Sequence, residues 1–225
     1  MAHASDSHLA HHFEDIEQQD ESAVLGMWLF LAQEILFFGG LFAAYFVLRV
    51  KYPDAWAAAS SELDLKLGGT NTVVLLVSSF TMAMSVHAAQ TGKQLRLMGG
   101  MLVTLALGLV FVVIKFFEYK AKWDHGMIPG DDFVYHVTTG EYFAGVNPDH
   151  VQLFFCLYFV MTGMHALHMV IGAGILIWLI ALGYNGHFGP HRFMKVELFG
   201  FYWHFVDIVW VFLFPMLYLI DRSWM

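Results

Sequence analysis

The chain has 225 residues, 58% of them hydrophobic and 13% charged, with a mean hydropathy of +0.59; this balance excludes an ordinary soluble domain and describes an integral membrane protein. A net charge of −8 with only 11 Lys and Arg leaves no basic surface able to track a nucleic-acid backbone, so no nucleic-acid partner is expected. The one cysteine, Cys156, lies in an apolar run and has no partner in the chain for a disulfide.

In chain order, residues 1–23 form an acidic, His-containing tail that lacks the positive start and short apolar core of a signal peptide, and is expected to stay uncleaved and solvated. Its His3, His8, His11 and His12 have the spacing of no defined metal site. A hydrocarbon core about 30 Å thick needs about 20 apolar residues at the helical rise. That ruler predicts spans at about 24–48, 70–89, 97–117, 153–182 and 198–220, together one membrane domain over 24–225. An odd number puts the two termini on opposite sides. The aromatics Trp28, Tyr52, Trp56, Tyr202, Trp203, Tyr218 and Trp224 read as interfacial anchors. Residues 119–152 are expected to be an extramembrane loop rich in turn formers, too short for a domain. Gly39 with Ala43, and Gly40 with Ala44, are small-xxx-small pairs that allow close helix approach; Gly163, Ala166, Gly172 and Gly174 lighten the fourth span. The lysine and arginine count, four on the amino-terminal side against six on the other, leans weakly to an external amino terminus.

Ionisable groups inside a bilayer cost on the order of 3 kcal/mol each on insertion scales, so each needs a partner or a role. Glu34 lies near the middle of the first span. His165 and His168 stand one turn apart on the fourth, His204 and Asp207 one turn apart on the fifth, and Glu197 begins the fifth. Lys115 and Glu118 share a face of the third and are placed to form an ion pair. Three chemistries use such groups. The His-x-x-His pair with a third ligand is a weak metal signal; His87, His165, His168 and His204 supply haem-ligand candidates on three helices; Glu34 and Asp207 on one cavity would relay protons. The plainer reading, in which these groups tie helices together and hold lipid headgroups, carries most weight. No nucleophile elbow, Walker loop, CxxC or HExxH is present, and neither a catalytic residue nor a metal site is expected.

Five blocks occur in one order: GMWLFLAQEILFFGGLFAAYF, TNTVVLLVSS, KFFEYKAKW, FFCLYFVMTGMHALHMVIG and VELFGFYWHFVDIVWVFLF. They cover all five spans and resemble subunit III of the haem-copper cytochrome c oxidases. The resemblance implies an all-α, polytopic bundle of five transmembrane helices, as in five-span bacterial members, without the first two helices of mitochondrial ones. It implies a non-catalytic subunit of an enzyme complex, with haem and copper held by partner subunits I and II. Contact mainly with subunit I, bound structural phospholipid and support of proton uptake are also implied. So is a place in the bacterial cytoplasmic membrane with the amino terminus in the cytoplasm, against the charge count. Position by position, Glu34 corresponds to the family's buried carboxylate; His165, His168, His204 and Asp207 correspond to polar residues that fix helices and headgroups, near the cytoplasmic side for the last two. Glu118 and Glu197 match family positions as well, while Leu182 stands where relatives place an arginine. The alternatives left open are a subunit III-like accessory protein of a nitric oxide reductase system, a quinol oxidase subunit, and an independent membrane b-type cytochrome.

Overall fold

The structure, a computed structural model, describes residues 13–131, 133, 145–190 and 192–220. Among these there are six helices and no strand: α1 (Ile16–Lys51), α2 (Pro53–Ser61), α3 (Leu65–Gln90), α4 (Gln94–Asp124), α5 (Pro148–Tyr184) and α6 (Met194–Tyr218). All except α2 are long and apolar enough to cross a membrane. Their helicity follows from the solvent: in hydrocarbon a backbone N–H or C=O has no water to bond, and a helix satisfies each of them internally.

The helices outrun the apolar runs that predict them. α1 has 36 residues and is about 54 Å long at the helical rise, well beyond the hydrocarbon thickness. It begins inside the tail expected to be solvated coil, because Asp15 caps it by accepting from the Gln18 N–H at 2.7 Å. Of that tail, residues 1–12 lie outside the described residues. The expected 119–152 loop is likewise shorter: α4 continues to Asp124, and α5 starts at Pro148, behind an Asn147 cap that accepts from Asp149 N–H at 2.9 Å. α4 and α5 stop in the same way. Gly126 and Gly186 take φ of 68° and 72°, and the residue after each donates back to Lys122 and Leu182 carbonyls, the Schellman arrangement that glycine permits.

α6 is the centre of the bundle. Half of its most apolar window is buried, against 17% for α1, whose Leu25, Trp28, Leu29, Leu36 and Val50 face outward. α3 and α4 form the most extensive pair; α3 also runs along α6, α4 along α5, and α5 along α6. Trp203 of α6 lies where α4 and α5 carry Gly108 and Gly172: a Cβ at either would come within 2.9 to 3.0 Å of its ring. By contrast, a Cβ at Gly39 or Gly40 would meet nothing within 4 Å, so among the described residues no helix packs closely on their small-xxx-small faces.

The anchor reading fails for several aromatics. Trp56, Trp203 and Tyr218 are fully buried and Tyr202 nearly so, because bundle packing competes for the same large, amphipathic rings. Trp28 is exposed as an anchor would be, and Trp224 lies outside the described residues. α2 is a lid across one end of the bundle. Its residues Ala55 to Ser60 are buried against α1, α5 and α6. There α6 ends in carbonyls that other helices satisfy: Tyr45 donates its hydroxyl to Met216 C=O, and Ser60 donates to Leu217 C=O at 2.8 Å.

Candidate functional site: two polar centres in the bundle

The first centre lies near the middle of α1 and α5. Glu34, near the middle of α1 and 7% exposed, brings Oε2 to 3.2 Å from Nε2 of His168 on α5. His168 Nδ1–H donates to the Met164 carbonyl at 2.8 Å, which fixes the ring so that Nε2 faces α1. The approach brings a carboxylate and an imidazole of two helices together, although Glu34 Oε2 completes no hydrogen bond in this geometry. Tyr202 of α6 donates to the His168 carbonyl at 2.8 Å, and Phe38 packs on the imidazole. Beside this pair lies a cavity of about 430 Å³, walled by Met27, Phe30, Ile171 and Trp178 with Tyr202, and with Lys195 at its rim. The Lys195 ammonium lies 5.6 Å from the Trp178 ring centroid.

His165 turns away from His168. Its Nε2–H donates to the Val206 carbonyl of α6 at 3.1 Å, and its ring packs against Phe111 and Trp210. Thus the His-x-x-His pair addresses two different helices rather than one point. Among the described residues no group of three or more His, Cys, Asp or Glu converges as a ligand set would. His204 Nδ1 lies 2.6 Å from the Ser79 hydroxyl of α3. Asp207 is 2% exposed, and neither of its carboxylate oxygens finds a hydrogen-bond partner in this geometry, although Ser79 borders it. Both residues sit near the middle of α6, and they face α3 while Glu34 faces α5. Neither carboxylate lines the cavity beside His168. Glu197 occupies the first turn of α6, half-buried, where free N–H groups favour a carboxylate.

The second centre lies toward the α2 end. Lys115 Nζ donates to Glu118 Oε2 at 3.0 Å, to Tyr158 Oη at 3.0 Å and to Tyr218 Oη at 3.1 Å, while both tyrosines donate to Glu118 Oε1, at 2.8 and 2.5 Å. The rings of Tyr119, Tyr158, Trp210 and Tyr218 surround the ammonium at 5.0 to 5.8 Å from their centroids. The ion pair expected from i, i+3 spacing is therefore present, but its closure by tyrosines of α5 and α6 was not visible, since Tyr218 reads from sequence as an anchor. One turn beyond Glu118, Lys122 donates to the Glu62 carbonyl, fastening α4 to the turn after α2.

Set against known proteins, the profile of the family described as cytochrome c oxidase subunit III matches residues 11–222. The chain belongs to the cytochrome c oxidase subunit III family. It is 32% identical over 196 residues to the probable cytochrome c oxidase subunit 3 of Nocardia farcinica, covering 87% of both chains. To the probable quinol oxidase subunit 3 of Staphylococcus haemolyticus it is 30% identical, covering 87% of this chain and 88% of that one. A heme-copper oxidase subunit I+III of Aeropyrum pernix matches at 28% identity, over 86% of this chain and 22% of that longer one. The expected fold and function hold: this is subunit III of a haem-copper oxidase complex, a multi-pass membrane protein of a non-catalytic subunit family.

Proposed function

We propose that this subunit sits against subunit I in a bacterial cytoplasmic membrane, amino terminus in the cytoplasm, and sustains oxygen reduction by holding phospholipid and supporting proton uptake, while subunits I and II carry haem and copper. The observation behind this reading is the cavity between α1, α5 and α6. Its walls are almost wholly apolar, the length of Trp178, Ile171 and Phe30 suits acyl chain, and Lys195 at the rim suits a headgroup phosphate. His168 and Tyr202 line the same cavity, so a lipid seated there covers the Glu34–His168 pair from one side and keeps it dry. In this reading Glu34, His165, His168, Glu197, His204 and Asp207 are structural or lipid-facing groups, and Lys115 with Glu118 is a structural ion pair. Fusion of subunits I and III in the Aeropyrum pernix relative supports the choice of subunit I as main neighbour. Relatives named for cytochrome c and for quinol both occur, so the electron donor is a property of another subunit.

The test is to purify a tagged copy in mild detergent, identify what accompanies it by mass spectrometry, and record the visible spectrum before and after the subunits are separated. Haem in the complex but not in this chain, together with subunits I and II, is expected. A stoichiometric Soret band in the isolated chain, or recovery of a nitric oxide reductase in place of the oxidase, overturns the reading.

A further inference from the structure

α1 presents two faces. Glu34, Phe38 and Tyr45 turn inward, to His168 of α5 and to Phe205 and Met216 of α6. On the opposite side Gly26, Gln33, Gly40 and Val47 recur every seven residues, and the positions three beyond each, from Leu29 to Val50, interleave with them. This is the a/d spacing by which two helices mesh along a seam, and every one of its positions is exposed, Leu29 at 65% and Val50 at 83%. At the helical rise the seam is about 36 Å long, enough to cross the hydrocarbon from side to side. A Cβ at Gly26 or Gly40 would meet nothing within 4 Å, and α1 is the least buried of the spans. Gln33 sets this face apart from plain lipid-facing surface. Its amide has no hydrogen-bond partner among the described residues, although it lies beside Glu34 near the middle of the helix. Within the five apolar runs the other exposed polar side chains, Thr70 and His87, stand at the two ends of the α3 run.

We propose that this face of α1 packs along one transmembrane helix of subunit I, with the Gln33 amide hydrogen-bonded across the seam to a polar group of that helix. The inference rests on subunit I being the main neighbour, and adds where and how the two meet. Acyl chains would cover the apolar positions but leave the amide donors and acceptor unpaired, which hydrocarbon penalises. Headgroups lie about 15 Å away, at the edge of the hydrocarbon, and do not reach it. A helix meets both demands. The missing side chains at Gly26 and Gly40 let its backbone approach, Leu29 and Leu36 fill the intervening holes, and one polar residue at an a position fixes the register. The choice of subunit I follows from the Aeropyrum pernix relative named subunit I+III, in which the part matching this chain is 22% of the protein: there the two are carried on one chain. The seam shares no residue with the cavity beside His168, so the two assignments stand or fall separately.

The experiment uses the whole complex in its membrane, with a benzophenone amino acid placed at Leu36, one turn from Gln33 and 78% exposed, or as a comparison at Val113 on the outer side of α4, 51% exposed. After irradiation the cross-linked peptides are read by mass spectrometry. Leu36 is expected to cross-link to a single transmembrane helix of subunit I, and Val113 not to that helix. In a second measurement the tagged complex is held in detergent and the loss of subunit I is followed. Gln33→Leu should speed that loss about 3- to 10-fold, the worth of one interhelical hydrogen bond, while Gln33→Asn should retain most of the slow release. Gly40→Leu, which blocks the close approach, should speed it by about 5-fold or more. Where a variant fails to assemble, the cross-link from Leu36 decides. Recovery of a complex without subunit I overturns the choice of neighbour. Recovery with subunit I, but with Leu36 cross-linked only to lipid, to a second copy of this chain or to another subunit, overturns the seam alone, as does unchanged release in both Gln33→Leu and Gly40→Leu.

Discussion

The two polar centres solve the same problem in opposite ways. Around Lys115 the chain supplies every partner itself: one carboxylate, two tyrosine hydroxyls and a ring of four aromatics, drawn from α4, α5 and α6. Around Glu34 it supplies one histidine and then an open cavity. A charge fully enclosed by its own protein is fixed in one arrangement, and its cost is met by the fold. A charge beside a cavity has one side finished by whatever enters. The difference separates what this subunit needs in order to fold from what it offers to its surroundings.

The sharpest way to break that contrast is to remove one member of the closed centre. Lys115→Met leaves Glu118 buried without its ion-pair partner and should destabilise the chain by about 3–5 kcal/mol, read as a lower thermal midpoint in detergent or loss of assembly. Adding Glu118→Gln to the same chain should recover most of it; no recovery would show that the two do not act as a pair. Next in size is Gly172→Ala, whose new Cβ would stand 3.0 Å from the Trp203 and Tyr202 rings; about 1–3 kcal/mol is expected in the same melt. Gly40→Ala, with open space around it, should cost the isolated chain nothing and by helix propensity gain up to about 1 kcal/mol.

Smaller effects belong to the open centre. Glu34→Gln keeps a hydrogen-bonding group opposite His168 and should cost about 0.5–1.5 kcal/mol. The initial oxygen-reduction rate of the complex should be unchanged and its half-life during turnover shortened; immediate loss of activity with the complex intact would contradict a non-catalytic role. Smallest is Glu197→Gln, where only the favourable field of the α6 amino terminus is lost, about 0.3–1 kcal/mol.

How much of this the sequence discloses depends on how far apart the partners lie. The five spans are legible because each is a run of apolar residues long enough to cross hydrocarbon. Their true ends are not, because Asp15 and Asn147 are polar residues that look like loop while acting as caps. α2, nine residues rich in alanine, falls below any membrane ruler and declares itself only by being buried. Lys115 and Glu118 are legible as neighbours on one helix. Tyr158 and Tyr218, 43 and 103 residues from Lys115, are not, since nothing local distinguishes a buried tyrosine from one at the membrane surface. The direction in which a group points is equally hidden: His165 and His168 differ by one turn, yet one serves α6 and the other α1.

The carbonyls at the end of α6, taken by Tyr45 and Ser60 across 171 and 157 residues of chain, have a consequence for synthesis. The ribosome makes the α1–α2 hairpin first and α6 much later, so Trp56 and the alanines of α2 wait without one of their walls until α6 arrives. A nascent chain interrupted before Met216 would present that unfinished end, with its bare alanine face, to the membrane's proteases. Only a chain translated through α6 can close the lid.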